Sequence, residues 1–542
     1  MAKTVISERF YSVFRASLAS MSISYVLILT DNVVAGQFVG ENAVAAMTLV
    51  APIMTLVFFL SYMISDGLAM MFSYAKGNND RQKANELFGM GTICTAALSV
   101  TMTVAMFVFD EKILGFWDIS PELMSYALDY YHGLILATAP TMLNIFFYTI
   151  YVAEGEENIC VQASVAMFVV NMILDVLLGY KIGVIGIGIA TAGGALVSFL
   201  WHVPYLFSPE CQLRLLKYWN GKEFWRGIFY SWYHSMDTLY LTLLPMIFSL
   251  FVIKTFSENY LIVVTVIFNM LTLLIAFYTG LVDCLQPMIC QYHAENALHS
   301  VKKTMRYGIN STIALTVVLI LFAFVFAEFL PGMFGVSREE QLYSDCVVAV
   351  RIFMPFTIFL GVTLMFSNYY IYIERLNFGA AIKTLLLLIL PAAGMFAGVF
   401  GLPFMWLGVG ASFIVALLIN FLVTRRNLLL IDGENLSRQF SFDADAKLEN
   451  LPALKSSLEK FFAQTKLEPR NFLTALTEEI FAAYAARAEN FLLEVSIIPA
   501  ERTVLIFREN GKPDEPRSRM LDNVSEKNYM ISGDENKFVV TV

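Results

Sequence analysis

Long apolar blocks alternate with short polar stretches from residue 10 to residue 424. Each block has about 20 residues or more, enough to cross the hydrocarbon core of a bilayer as an α-helix. We count twelve blocks, at roughly 10–38, 44–75, 87–109, 122–153, 160–180, 186–207, 226–253, 259–290, 307–330, 341–373, 379–400 and 404–424. The pattern predicts an all-α polytopic membrane protein with twelve transmembrane helices.

The hydrophobic pattern changes after Arg426. Residues 427–445 are predicted to be a polar linker, and residues 446–542 a small cytoplasmic α/β (α+β) domain. Within that domain, "LPALKSSLEKFFAQ" and "NFLTALTEEIFAAYAAR" have helical periodicity, whereas "FLLEVSIIP" and "RTVLIFREN" alternate like paired strands.

The apolar part of the chain contains an internal repeat. "SDGLAMMFSYAKGNN" (65–79) matches "VDCLQPMICQYHAEN" (282–296), and "YVAEGEEN" (151–158) matches "YIYIERLN" (370–377) more loosely. The repeat predicts two six-helix lobes, 1–215 and 216–426, related by an axis along the membrane normal.

Composition and charge agree with a membrane location. The chain is 58% hydrophobic and only 15% charged, whereas soluble proteins have about 25% charged residues. Lys and Arg are concentrated on one set of loops, which predicts a multi-pass protein of the plasma membrane with both termini in the cytoplasm. The six cysteines lack metal-ligand spacing, nothing indicates nucleic-acid binding, and no nucleophile–base constellation indicates an enzyme.

Polar residues inside the first, fifth and sixth blocks are the first candidates for function. Asn171 and Asp175 lie four residues apart on one helix face, and Asp31 and Thr191 lie in the other two blocks. If the three helices pack together, their oxygens suit Na⁺, and two buried carboxyl groups would hold one proton between them near neutral pH. The alternative is that Asp31 bonds to local backbone and that Asn171 and Asp175 only join helices.

Three further acids are candidates for a substrate cavity. Asp66 and Asp283 occupy equivalent repeat positions, and Asp237 lies near the start of the seventh block. In a water-filled cavity they would attract cations, but Asp237 and Asp283 lie fairly near helix ends or gaps, where a solvated carboxylate is ordinary. Lys383 is expected to reach the interface or pair locally, and His234 to pack at an interface.

These residues resemble the multidrug and toxic compound extrusion (MATE) family. The resemblance rests on four stretches in the right order, namely "TDNVVAGQFVGENAVAAMTLVAPI", "NMILDVLLGYKIGVIGIGIAT", "GLVDCLQPMICQYHAE" and "FGLPFMWLG". It implies two lobes around a cleft, and export of amphipathic or cationic small molecules against inward H⁺ or Na⁺. It also implies a cation site at Asp31, Asn171, Asp175 and Thr191. The first block lacks the proline that many members carry before the Asp.

The tail resembles, weakly, the anti-sigma-factor and histidine-kinase type of ATP-binding domain. The position of the Mg²⁺-binding Asn falls on Ala482 or Ala483, and that of the adenine-binding Asp on Glu509. We therefore expect a degenerate regulatory or dimerising module, with a protein partner or self-association, and no cofactor beyond the coupling ion. Two alternatives to an exporter stay open, a lipid-linked glycan flippase with a basic cavity and a membrane sensor that signals through the tail.

Overall fold

The computed structural model describes residues 3–115, 120–333, 338, 341–465, 467–487, 489–500, 502–531 and 535–542. Within them, twelve helices are long and apolar enough to cross a membrane, which confirms the predicted fold class. They are α1 (Val5–Val34), α2 (Glu41–Gly77), α3 (Arg81–Val108), α4 (Pro121–Glu154), α5 (Glu157–Ile182), α6 (Val184–His202), α7 (Gly221–Thr255), α8 (Leu261–Ala294), α9 (Leu298–Phe326), α10 (Gln341–Tyr372), α11 (Leu376–Phe400) and α12 (Leu402–Val423).

Two of these helices are irregular where a proline removes a backbone donor. In α10 a 3-10 turn, Met354–Phe356, contains Pro355 and joins Gln341–Phe353 to Thr357–Tyr372. In α11 a π turn, Leu385–Ile389, precedes Pro391. Short helices lie at Asp110–Leu114, Leu330–Met333 and Gly433–Ser437.

The twelve helices form two lobes, α1–α6 and α7–α12, each with its own apolar core. Tyr131 and Ile187 are fully buried in the first core, and Phe248 and Trp406 are buried in the second. A third core joins the lobes at the end of the bundle where α1 begins and α2 and α8 end. Because the C-terminal domain packs there, we call this end the domain side.

The internal repeat is visible in the backbone as well as in the sequence. Asn79 and Asn296 follow α2 and α8 with positive φ angles of 59° and 56°. Gly155 and Glu374, equivalent in the looser match, have φ angles of 97° and 61°. A left-handed residue is rare outside glycine, so two matched pairs indicate that both lobes end their helices in the same way.

The C-terminal domain is a five-stranded antiparallel sheet with two helices on one face. Its strands are β1 (Phe440–Asp445), β2 (Leu492–Ile498), β3 (Val504–Glu509), β4 (Glu526–Met530) and β5 (Asn536–Thr541), in the order β1-β2-β3-β5-β4. The helices are α13 (Leu451–Gln464) and α14 (Arg470–Ala485). The pairing of β2 with β3 confirms the predicted strands. The predicted linker, 427–445, is too long, because residues 440–445 pair with β2 as an edge strand.

The two faces of this sheet bury different side chains. Leu493, Val495 and Ile497 of β2 pack against α13 and α14. The alternate residues of the strands face the lobes, where Ile498 and Ile506 join the core that the lobes share. On that face Glu494 is also fully buried, where it accepts hydrogen bonds from Arg508 (2.7 Å) and from Lys303 of α9 (3.3 Å).

Acidification should therefore weaken the domain at Glu494. Burial alone would raise the pKa of Glu494, but Lys303 and Arg508 lower it to about 2. An acid with a lowered pKa stabilises the folded state above its unfolded value of about 4.3 and loses that contribution as pH falls toward 2. In detergent, the melting temperature of wild type should drop over this range. The melting temperature of Glu494→Gln should be lower than that of wild type at neutral pH and should fall less on acidification. Glu489→Gln, at a more exposed ion pair, should behave like wild type.

Candidate functional site

The four residues predicted to bind a cation lie on α1, α5 and α6, which pack side by side in the first lobe. Asp31, Asn171 and Asp175 are 7%, 1% and 0% exposed, and Thr191 is partly buried. Small residues allow this packing. A Cβ atom built on Gly194 would lie 3.0 Å from the Cβ atom of Asn171, and one on Gly186 would lie 2.5 Å from the carbonyl oxygen of Leu178. The glycines of "IGIGIATAGG" thus bring α6 against the polar face of α5.

The structure brings the carboxyl groups of Asp31 and Asp175 into direct interaction with each other. Oδ1 of Asp31 and both carboxyl oxygens of Asp175 receive no hydrogen bond from any other group in the described part of the chain. Two ionised carboxylates in this setting would repel each other, whereas a shared proton or a bound cation removes the repulsion. The pair is arranged to take up one positive charge.

Asn171 and Thr191, the other two predicted cation ligands, are polar residues of α5 and α6 that line the same cavity. The side-chain oxygen and nitrogen of Asn171 are buried and lack hydrogen-bond partners among the described residues. The hydroxyl of Thr191 donates to the carbonyl oxygen of Ile187 in its own helix, at 3.1 Å, and keeps a lone pair for a ligand. Carboxylate, amide and hydroxyl oxygens suit a hard cation such as Na⁺.

A cavity of about 250 Å³ lies next to this site and reaches the second lobe, but Asp31 and Asp175 themselves are not among its lining residues. Asn171 and Thr191 lie in its wall, together with Asp66 of α2 and Asp283 of α8. The remaining wall is mostly apolar and aromatic, and no Lys, Arg or His occurs among the lining residues that the structure describes. The cavity therefore brings two acids at the junction of the lobes into one wall with Asn171 and Thr191, and Asn171 lies one helical turn from Asp175.

Asp237 does not line this cavity. Its carboxylate lies 3.8 Å from the ammonium of Lys383, which donates to Asn368 Oδ1 at 2.9 Å and to the backbone oxygen of His234 at 2.5 Å. The imidazole of His234 lies 3.8 Å from the carboxylate of Asp66, so this network reaches the cavity wall from behind. Sequence reasoning missed Asn368 and the pairing of Lys383 with Asp237. A lysine inside the apolar run "AAIKTLLLL" is the signal that could have found them, because such residues seldom lie unpaired in a membrane.

Of the two alternatives expected for Lys383, the structure supports pairing with neighbouring groups and not reaching the membrane interface, since its side chain is 0% exposed. The backbone oxygen and the amide that bind it are both buried in the second lobe, which holds the ammonium inside the bundle.

Close backbone packing seals the cavity on the domain side. A Cβ atom on Gly67 of α2 would lie 1.9 Å from the carbonyl oxygen of Gly227 in α7, and one on Gly77 would lie 2.4 Å from that of Gln291 in α8. Gln286 also donates to the backbone oxygen of Asp66 at 2.9 Å. The cavity itself continues past Gly67 as far as Ser73 of α2 and Ala153 of α4. The contact between Gly77 and Gln291, one turn farther along α2, lies between the cavity and the domain.

In the C-terminal domain, Glu509 is engaged by protein groups. The hydroxyl of Tyr529 donates to its carboxylate at 2.9 Å, and Arg487 forms an ion pair with it. Burial raises the pKa of Glu509 to about 7, although Tyr529 and Arg487 both act in the opposite direction. Ala482 and Ala483 lie on α14 and offer no ligand atoms beyond the backbone.

Comparison with known families gives two matches within this chain. The family model described as MatE matches residues 16–177 and residues 235–396, once in each lobe. The "Probable multidrug resistance protein YoeA" of Bacillus subtilis (strain 168) is 25% identical over 205 residues, which cover 34% of this chain and 44% of that protein. The chain therefore matches less than half the length of this curated relative.

Solved structures share the fold at low sequence identity. The crystal structure described as "MATE in the bent conformation" has a TM-score of 0.70 and 19% identity, covering 78% of this chain and 95% of the other. A MOP superfamily transporter from Pyrococcus furiosus, described as having reverse polarity of its binding pocket, has a TM-score of 0.71 and 19% identity, covering 80% and 100%. An outward-facing multidrug resistance MATE family transporter has a TM-score of 0.70 and 19% identity, covering 79% and 98%.

Removing Lys383 should destabilise the second lobe. Lys383→Met leaves the carboxylate of Asp237 without its buried countercharge, which costs about 3 kcal/mol in comparable buried pairs. The melting temperature in detergent should fall, and Asp237→Asn added to Lys383→Met should restore part of the loss. Arg351→Met is the control, because the Arg351–Glu328 pair is exposed and worth at most about 1 kcal/mol. A double variant no more stable than Lys383→Met would show that the two groups are not coupled.

Proposed function

The chain belongs to the MatE family, and on that premise we propose that it is a secondary active exporter, which moves amphipathic or cationic compounds out of the cell against inward H⁺ or Na⁺. MATE proteins are membrane transporters and not enzymes. The observation that carries the proposal is the carboxyl pair of Asp31 and Asp175, whose buried oxygens are engaged by no other described group.

The shared cavity supports coupling between ion and substrate. Asn171 and Thr191 belong both to the candidate ion site and to the wall that contains Asp66 and Asp283. A cation taken up beside Asp31 and Asp175 changes the charge of one end of the cavity, so it alters the free energy of a cationic substrate at the other end. Such coupling is reciprocal, so each ligand helps to displace the other.

The charge of the cavity favours an exporter of cations over a flippase for lipid-linked glycans. A polyanionic lipid headgroup requires basic residues, whereas the charged lining side chains described by the structure are both carboxylates. The membrane-sensor alternative can be tested by removing the C-terminal domain. An exporter should still transport its substrate without the domain, whereas a sensor has no transport activity to retain.

We also propose that the domain side faces the cytoplasm. The helix ends on this side carry Lys76, Arg81, Lys83 and Lys303, in agreement with the bias of basic residues toward cytoplasmic loops. Both termini would then lie in the cytoplasm of a plasma-membrane protein.

Neutralising either carboxyl group of the pair should abolish ion-driven transport. Asp31→Asn and Asp175→Asn remove the group that takes up the coupling charge but keep the size of the side chain. In proteoliposomes under an imposed pH or Na⁺ gradient, efflux of a fluorescent cation should fall to the level of protein-free liposomes. Asp129→Asn, an exposed acid on α4 of the same lobe, should transport like wild type.

The choice of gradient identifies the coupling ion, since only one of the two should drive wild-type efflux if coupling is specific. Wild-type rates in Asp31→Asn under both gradients, with normal protein incorporation, would refute the assignment of the ion site.

Asp66 and Asp283 should determine the preference for positive charge. Asp66→Asn or Asp283→Asn should raise the half-saturating concentration of a permanently charged cation by about tenfold, which corresponds to a loss of about 1.4 kcal/mol. Transport of an uncharged compound of similar shape should be unaffected and serves as the internal control. Equal effects on both compounds would mean that the acids act on the structure rather than on substrate charge.

A further inference from the structure

One lysine of the C-terminal domain touches both lobes. The ammonium of Lys537, on β5, donates to the backbone oxygens of Lys76 (3.0 Å) and Gly77 (3.3 Å) at the end of α2. It also forms an ion pair at 2.8 Å with Glu295, the residue that caps α8. A cation suits the C-terminus of a helix, where carbonyl groups lack internal partners. A single side chain thus joins the end of α2 in the first lobe to the end of α8 in the second.

Lys537 belongs to a buried cluster with three cations and three anions. The other members are Arg9, Glu295, Glu494, Arg508 and Glu535, and each of the six side chains is at most 2% exposed. Arg508 pairs with Glu295, with Glu494 at 2.7 Å and with Glu535 at 3.4 Å. Removing one member of such a balanced cluster leaves a buried charge without its partner, which is costly.

Most of the polar contacts that the structure describes between the domain and the lobes are with the second lobe. Lys303 of α9 pairs with Asp443 at 2.5 Å, and Ser300 accepts a hydrogen bond from Arg508 at 3.2 Å. Gln439, just before β1, donates to the backbone oxygen of Asn296 at 2.8 Å. The domain is therefore anchored on the segment that ends α8 and begins α9.

Fewer contacts reach the first lobe. Besides Lys537, they include Arg9 of α1, which donates to Glu535 at 3.3 Å, and Asn510, which binds Glu8. If the lobes separate on the domain side, the domain would stay with α8 and α9, and these contacts to α1 and α2 would break.

We propose that residues 440–542 form an intramolecular latch, in which Lys537 and Glu535 hold the first lobe against the second on the domain side. The charged face of the sheet binds the two lobes of the same chain. The latch opposes opening of the cavity toward the domain, because that opening would leave Lys537 without the carbonyls of α2 and Glu535 without Arg9. Its consequence for transport rests on the alternating access of the proposed function, but the holding of the lobes does not.

Cys290 provides a native reporter for the latch. It is fully buried on α8 and contacts Tyr74 of α2 across the junction of the lobes. With the other five cysteines replaced by alanine, labelling by a membrane-impermeant maleimide in inside-out vesicles should measure opening on the domain side. Lys537→Met and Glu535→Gln should each accelerate labelling about tenfold or more. Lys537→Arg, which keeps the charge, should restore slow labelling, and Lys512→Met, at an exposed ion pair of the same domain, should have no effect.

A second reporter separates opening from unfolding. Cys346 is fully buried in the core of the second lobe, outside the core that joins the lobes. As the single cysteine, it should label slowly in every variant. Unchanged labelling of Cys290 in Lys537→Met and Glu535→Gln would overturn the latch, and so would parallel acceleration at Cys346. Labelling requires no substrate or ion gradient, so the result stands independently of the transport assays.

Discussion

The cost of placing charge where water is scarce determines the arrangement of this protein. A carboxylate or ammonium in hydrocarbon is tolerated only when another group neutralises it. Asp237 meets this requirement with Lys383, and Glu154 at the end of α4 does so with Lys76 and Arg81. The pair of Asp31 and Asp175 contains no positive group, so its neutrality depends on a proton or ion from solution. Asp237 and Glu154 thus belong to permanent ion pairs, whereas under the proposed function Asp31 and Asp175 exchange their positive partner with solution.

Under the proposed function, Asp66 lies where a substrate can influence the contact between the lobes. The backbones of α2 and α7 are in contact at Gly67 and Gly227, which joins the lobes beside the cavity. Asp66, adjacent to this contact, interacts with the other lobe through its backbone oxygen and lines the cavity. A ligand that interacts with Asp66 therefore acts on a residue that is adjacent to the contact between the two lobes. Substrate charge and lobe position are linked there by direct contact rather than through a long chain of side chains.

The sequence predicted most of what depends on regular spacing. Helix number follows from block length. The meeting of Asp31 with Asp175 was expected only if their helices pack together, which the resemblance to the MATE family implied. The partners of Lys383 could not be predicted, because Asn368, His234 and Asp237 come from helices whose relative rotation is set by packing. The start of the domain at Phe440 was also missed, because "FSFDAD" is too short and polar to indicate a strand without its partner β2. The docking of the sheet likewise required the tertiary structure.

The alternation of charge within the strands of the C-terminal domain has a physical explanation in that docking. A free two-layer domain would expose Glu494, Arg508 and Lys537 to water, where isolated charges contribute little to stability. Buried together with Arg9, Glu295 and Glu535, they form a polar interface that has matched partners only in one relative position of the lobes. An apolar interface would hold the domain in many similar positions, since hydrophobic contact is not directional. A buried charge network instead favours the one arrangement of the lobes in which its charges are paired, which makes the contact specific. When the lobes separate, water can solvate the charged side chains, which makes the contact reversible.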